Sequence, residues 1–266
     1  MEETIYSVTA GIIKSLDSDL ESSYTKSILA ELRNSINRDN DYSGIVWQLL
    51  FDKLPKDFLN NHRDGNLTKE ESVILNTLQL YSVHQQGKNE SVNLEEKEYV
   101  NDAGHFCVQY DGHNYHLDMK KSSDDQFTNH RVFQDASKLS KYVEEWASNF
   151  DKHSPNFDKS SSNEKKYTIN FGGSLSNYRA RLNDKTALDR RFNTMMAAST
   201  YEEFLNNLRH IIKIVKSKST VQINYPKLAK DLYEFMGSEK DREKLQLIWS
   251  QSYYFKHNTG ENSNEK

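Results

Sequence analysis

The chain has 266 residues, enough to bury a sizeable core in one domain or two, and a formal net charge of −4. Its single cysteine, Cys107, excludes an internal disulfide and fits a reducing cytoplasm, and Met1-Glu2-Glu3-Thr4 begins without the apolar run of a signal peptide. No apolar run approaches the roughly 18 residues of a membrane-spanning helix, while 3 Pro and 10 Gly suit a helical fold and 15 Tyr and 12 Phe argue against disorder.

The first part, 1–88, reads as helices. Thr4–Leu16 carries Ile5, Val8, Ile12 and Leu16, and Asp19–Ile36 carries Leu20, Tyr24, Ile28, Leu29, Leu32 and Ile36, both at helical spacing. Asp39–Ser43 is a polar break. Ile45–Leu54 is a dense apolar helix around Trp47, ended by Pro55, which disfavours helix in the residue before it. Thr68 with Glu71 three residues later forms a capping box, and the helix they open runs through Val73, Ile74, Leu78 and Tyr81 to a stop at Gly87.

The pattern then changes. Residues 89–170 hold 15 Asp/Glu against 10 Lys/Arg and read as an acidic insertion. Phe106–Tyr110 and His113–Leu117 flank Asp111-Gly112, a two-residue hairpin signal, so strand is expected only within 105–118. Ala136–Phe150 has a helical pattern in Leu139, Tyr142, Val143 and Trp146, and Asp151–Lys166 is a Ser/Asn/Lys loop.

Helical order returns in 171–257, ahead of a polar tail at 258–266. Ser174–Leu182 follows Phe171-Gly172-Gly173, and a further helix begins near Asn183 or Asp184. Thr200 with Glu203 forms a second capping box, Asn224 and Pro226 begin the next helix, Gly237 ends it, and Ser238 caps the last. The fold class expected is all-α: an N-terminal and a C-terminal bundle, with an inserted segment that holds a small β-hairpin.

The charge average hides an asymmetry. Residues 171–266 carry 16 Lys/Arg against 11 Asp/Glu, whereas 1–170 carry 19 against 28. In Thr200–Lys216 the residues Tyr201, Phe204, Leu205, Leu208, Ile211, Ile212 and Val215 make an apolar stripe, and Arg209, Lys213 and Lys216 share another face, expected to point outward. A row of cations on a fixed helix suits a polyanion, because each can replace counterions condensed on a phosphate. Arg190-Arg191-Phe192 adds an Arg pair able to fork onto phosphates, with a salt bridge to Asp184 or Asp189 as the structural alternative.

No reactive constellation stands beside these cations. The sequence has no Gly-rich phosphate loop, Cys-x-x-Cys pair, His-Glu-x-x-His or Gly-x-Ser-x-Gly. His105, Cys107, His113, His116 and His130 could approach one another on a hairpin, yet their spacing matches no zinc module, so no metal or cofactor is assigned. His84 has no nucleophile or orienting carboxylate near it in sequence. With Gln85 and Gln86 it is expected to satisfy buried polar groups or meet a partner. Trp47 and Trp249 are expected in the core.

Three stretches, in order, resemble the CasB family, the small subunit of the type I-E CRISPR Cascade complex. The first is Val46-Trp47-Gln48-Leu49-Leu50-Phe51 with Leu78-Gln79-Leu80-Tyr81-Ser82-Val83-His84-Gln85-Gln86-Gly87. The second is Gly173-Ser174-Leu175, leading through Arg179 and Leu182 to Arg190-Arg191-Phe192-Asn193. The third is Leu208-Arg209, then Asn224-Tyr225-Pro226-Lys227-Leu228-Ala229-Lys230-Asp231-Leu232-Tyr233, then Trp249. The resemblance covers 4–88 and 171–256. It implies a helical, non-catalytic subunit, present in two copies beside other Cascade subunits, that braces guide RNA and target DNA and holds the displaced non-target strand. Two departures are the long segment 89–170 and the absence of the Gly-Arg pair that commonly follows Ser-Leu. The candidate nucleic-acid-binding residues are Arg33, Arg179, Arg181, Arg190, Arg191, Arg209, Lys213, Lys216, Lys227, Arg242 and Lys244. The competing readings are a free-standing helical nucleic-acid-binding or scaffold protein, and a metal-dependent enzyme built on the inserted His/Cys cluster.

Overall fold

The structure is a computed structural model, and it describes residues 4–36, 42–59, 65–94, 96–101, 104–110, 115–121, 129–135, 138–139, 141–142 and 169–254. Thr4 opens α1 (Ile5–Asp17) in a reciprocal cap with Ser7, and the helix buries Ile5, Val8, Thr9, Ile12, Ile13 and Leu16 along one face. Ser22 caps α2 (Ser23–Asn34), which buries Thr25, Ile28, Leu29 and Leu32; residues from Asp19 to Ser22 form turns instead of the expected helix start. α3 (Gly44–Phe51) is short, and a single 3-10 turn at Lys56–Phe58 follows Pro55.

The expected capping box begins α4 (Lys69–Gln85): the Thr68 hydroxyl accepts from the Glu71 N–H at 3.0 Å, and the Glu71 carboxylate accepts from the Thr68 N–H at 2.7 Å. Gly87, at φ +78°, supplies the left-handed turn after the helix. Five more helices lie in the C-terminal part: α5 (Phe171–Ala180), α6 (Thr186–Met196), α7 (Tyr201–Lys218), α8 (Tyr225–Phe235) and α9 (Glu239–Tyr254). Asn224 caps α8, and Ser238 caps α9 through the Asp241 N–H. At α7 only half of the expected box forms. Thr200 accepts from the Glu203 N–H, but the Glu203 carboxylate turns to the Ser199 N–H.

α5 begins earlier than the sequence pattern places it. Asn170 caps it, so Phe171, Gly172 and Gly173 form the first turn rather than a break before it. Gly172 itself has a tertiary reason. A Cβ on Gly172 would sit 2.2 Å from the Trp249 carbonyl oxygen, so only glycine lets α5 lie this close to α9.

The two helical parts of the chain close on each other. Met1–Asn93 and Asn170–Tyr254 form one compact unit. α1 packs on α8, and α4 packs against α1, α2, α7 and α8. The sequence pattern marks one apolar face on α4, but its neighbours bury it on every side: Leu75, Leu80 and Val83 are as enclosed as Val73, Ile74 and Leu78. The polar residues on its remaining faces are therefore buried as well and bond within the protein. Gln79 donates to the Ser35 hydroxyl, and Tyr81 donates to Asp17. Gln85 takes the Val92 N–H and donates to the Lys88 and Glu90 carbonyls. Residues 88–93 thereby belong to the helical unit, and Val92 and Asn93 pair with Ile223 and Tyr225 across it.

A second compact unit spans Leu94–Ile169. Here strand extends beyond the expected 105–118. β1 (Glu96–Asn101), β2 (Gly104–Tyr110), β3 (Tyr115–Lys121) and β4 (Asn129–Phe133) form an antiparallel sheet in sequence order. Tyr110 pairs with Tyr115, so four residues, not two, separate the last β2–β3 pair. Leu117 and Met119 meet Leu139 on one face, and His116 and Asp118, also buried, alternate to the other. Lys138, Leu139, Lys141 and Tyr142 are helical as expected; the rest of 136–150, the loop 151–166 and the tail 258–266 lie outside the described residues.

Two outcomes test this architecture. Gly172→Ala lowers stability by about 1–3 kcal/mol in urea unfolding, despite the usual helix gain of alanine over glycine, because the added methyl meets backbone. Replacing residues 95–168 with a Gly/Ser linker leaves the helical unit folded, because its core and the bonds of residues 88–93 remain. Circular dichroism and thermal unfolding of that variant check it, and aggregation would show that the segment supplies core.

Candidate nucleic-acid interface

The candidate cations separate by burial. Six of them, Arg33, Arg179, Arg209, Lys216, Lys227 and Arg242, are half-buried, and each bonds within the protein. Arg179 on α5 grips Asp189 on α6 with two bonds, of 2.7 and 2.9 Å, and lies over the rings of Tyr253 and Tyr254 on α9. Asp189 also accepts from the Tyr253 hydroxyl at 2.6 Å. The hydrogen bond from Arg179 is the main cause that holds the Asp189 carboxyl below its ordinary range. Asp189, the alternative partner of the Arg190–Arg191 pair, is thus taken by Arg179, and Asp184 accepts from the Thr186 N–H.

Lys227 binds Asp231, which is fully buried and takes the Trp249 indole N–H at 2.8 Å. Burial raises the Asp231 pKa, and Lys227 opposes that shift. Arg242 donates to the Ser199 carbonyl and covers the Phe235 ring. Arg33 donates to the Ser82 carbonyl at 3.1 Å and so fastens α2 to α4. Arg209 departs from the outward, mobile placement expected of it: it is half-buried and donates to the Asn206 side chain at 2.7 Å. Burial lowers the pKa of both Arg33 and Arg209. Trp249 is a core residue as expected, while Trp47 is only partly buried and stacks on exposed Phe51.

Arg181, Arg190, Arg191, Lys213 and Lys244 are exposed. Asn206, His210, Lys213 and Ser217 recur at helical spacing along the outer ridge of α7. On one flank of that ridge, α6 packs against α7, and Arg190, Arg191, Asn207 and His210 line a hollow of about 420 Å³. On the other flank Lys216 donates to the Gln86 side chain at 2.7 Å. The Lys216 pKa is lowered, first by burial and then by the charges of Arg33, Lys88 and Lys213. These four cations gather where α4 ends.

Lys88 is the member that sequence reasoning missed. It follows Gly87 directly and donates to the Ser219 carbonyl at 2.9 Å; burial lowers its pKa. The available signal was only a cation just past a glycine-terminated helix; its partner, the C-cap of α7, is distant in sequence. His84 lies beside this cluster, bonded through Nδ1 to the Tyr225 hydroxyl at 2.9 Å. Burial first, then Lys88 and Lys216, bring its pKa down to about 3, so it stays neutral. His84 Nδ1 and Gln85 satisfy buried polar groups as expected, whereas His84 Nε2 is buried without a partner and Gln86 is exposed, bonded to Lys216.

No group of three His, Cys, Asp or Glu gathers as a metal site among the described residues. His113 and the side chains of His105, Cys107 and His130 lie outside them. Among the described residues no helix is long and apolar enough to cross a membrane.

Fold and site together define a mostly helical protein with a small antiparallel sheet and an exposed basic ridge. The family model described as CRISPR-associated protein Cse2 matches residues 28–254, and the chain belongs to that family, which supplies the small subunit of the CRISPR Cascade complex. The crystal structure of CasB from Thermobifida fusca is similar in fold over 94% of this chain and 98% of its own, at 13% identity and a TM-score of 0.54. That of M. ruber CasB covers 95% of this chain and 94% of its own, at 13% identity and a TM-score of 0.48. Comparison with curated proteins finds no match.

The Arg179–Asp189 pair gives a pH prediction. A carboxyl whose folded pKa lies below the ordinary 3.8 adds stability above that value and loses it as pH falls through the depressed one. Asp189→Asn therefore lowers stability at neutral pH by about 1–3 kcal/mol, as expected for leaving a partly buried guanidinium and hydroxyl underbonded. Its difference from wild type narrows at pH values below 3.8. Urea unfolding at both pH values measures it.

Proposed function

We propose that this chain is the non-catalytic small subunit of a type I-E CRISPR Cascade complex. In this role it works in the cytoplasm beside other Cascade subunits and a second copy of itself, bracing the guide RNA and target DNA and holding the displaced non-target strand. The observation that carries the reading is the exposed ridge of α7 in a chain of the Cse2 family. Lys213 stands on that ridge, with Arg190 and Arg191 on one flank and Lys216, Lys88 and Arg33 on the other.

In such complexes base pairing reads the sequence, and protein reads backbone and shape. A strand lying along the ridge would meet cations at intervals along its phosphates and release condensed counterions at each. Arg179, Lys227 and Arg242 have a different part. Arg179 joins α5 to α6, Lys227 holds the buried Asp231 that α8 presents to Trp249, and Arg242 joins α9 to Ser199 just before α7. Lys244 stands on α9 beside Lys69, Glu234 and Asp241, a mixed-sign surface less suited to a polyanion.

The test is target retention by the assembled complex. Lys213→Glu with Lys216→Glu, or Arg190→Glu with Arg191→Glu, weakens retention alike for every target sequence. Every phosphate left without its cation reduces the slope of log affinity against log salt by roughly one. The subunit still folds, because surface changes away from core and caps cost about 0.5 kcal/mol or less. Unchanged retention across a salt titration, with normal assembly, would reduce the ridge to a solvated surface.

A further inference from the structure

The hollow beside Arg190 and Arg191 is more than a cation pair. It continues into a second hollow of about 400 Å³, and the two share Thr194, Asn207 and His210. The resulting groove between α6 and α7 sets charged and polar side chains beside apolar surface at Ala187, and its charge changes sign along its length. Arg190 and Arg191 stand at one end, Glu202 and Glu203 at the other, and the amide of Asn207 and the imidazole of His210 lie between them. Among the described residues the side chains of Arg190, Arg191, Asn207, His210 and Glu202 have no hydrogen-bond or ionic partner, whereas Glu203 is engaged by the Ser199 N–H. Glu202 and Glu203 lie in the first turn of α7, where they complement the helix dipole, and they also give the groove a carboxylate end. A single nucleotide has this same polarity, an anionic phosphate at one end and a hydrogen-bonding base edge at the other.

We infer that this groove takes one nucleotide of a single strand, its phosphate at Arg190 and Arg191 and its base edge toward Asn207 and Glu202. The inference rests on the proposed function and adds base contact to it. A hollow of about 420 Å³ falls within the range of roughly 300–1,000 Å³ common to small-molecule sites. An unstacked base can lie on an imidazole or guanidinium face. A carboxylate accepts from the exocyclic amine of cytosine, and an asparagine amide pairs with adenine, whereas thymine offers no exocyclic amine. The groove therefore favours amino-bearing bases over thymine.

Release of the assembled complex from pre-opened target DNA tests this, because there the displaced strand need not pair and its composition can be set freely. Four displaced strands are compared: dC, dA, dT and abasic. The expected result is retention about five-fold or more stronger for dC and dA than for dT and abasic strands. Glu202→Gln with Asn207→Ala removes that difference, while abasic retention does not fall, because the lost carboxylate only repelled phosphate. Arg190→Glu with Arg191→Glu weakens all four strands. Equal retention of dC and abasic strands by the wild type overturns the groove as a base site, as does a preference that survives the Glu202/Asn207 variant. If charge reversal at Arg190 and Arg191 still weakens those strands, backbone holding stands without base contact. If it changes nothing, the groove and the strand-holding role of this Arg pair fail together.

Discussion

Enclosing α4 on all sides is the constraint from which the rest of the helical unit follows. A helix with Gln79, Ser82, His84 and Gln85 buried beside its leucines needs an internal partner for each, because an unmade hydrogen bond in an apolar interior costs about 1–3 kcal/mol. Some partners are local, the Gln79 carbonyl for Ser82 and residues 88–92 for Gln85, others come from distant sequence, and His84 Nε2 is left without one. Ser35 meets Gln79, Tyr225 meets His84, and Val92 meets Gln85, while Asp17 ties Tyr81 to Ser91. The apolar packing brings the helices together without choosing their register. The polar bonds on α4 are directional, and they set where α8 and residues 88–93 lie against it.

The same requirement explains why the cations divide as they do. Arg33 is drawn inward to an α4 carbonyl, and Lys227 to an aspartate that the core has enclosed. Arg179 gains two carboxylate bonds and two aromatic faces by leaving the surface. Lys213, Arg190 and Arg191 have no such offers and remain exposed. A count of basic residues treats these groups as equal. Burial shows that some hold the scaffold while others are available to an external phosphate.

Most helix starts were legible because caps are local chemistry: Thr4, Thr68, Asn224 and Ser238 each act within three residues of themselves. The burial of Phe204, Leu208 and Ile212 was legible for the same reason. Most of what escaped depends on residues far apart in the chain. The glycine at 172 answers to Trp249, the enclosure of α4 is completed by helices more than a hundred residues away, and the inward turn of Arg209 is set by its surroundings rather than its spacing; the Asn170 cap of α5, though local, was not read. The sheet was underread because only its central hairpin carries a turn signal. Glu96–Asn101 and Asn129–Phe133 mix charged and apolar residues without one. Lys88 was hidden in another way: it lies past the end of its helix, where no periodicity points to it.

The packing of α1 on α8 has a consequence during synthesis. The apolar face of α1 emerges long before the helix that covers it, which begins only at Tyr225. Throughout translation of the intervening chain, Ile12, Ile13 and Leu16 lack their final neighbours, and α4 lacks two of its four. Pairings of such long sequence separation form late and slow the search for the native state. The N-terminal part therefore leaves the ribosome as a set of helices with uncovered seams, open to chaperones or to association with other chains, and it becomes a finished body only once the last helices arrive.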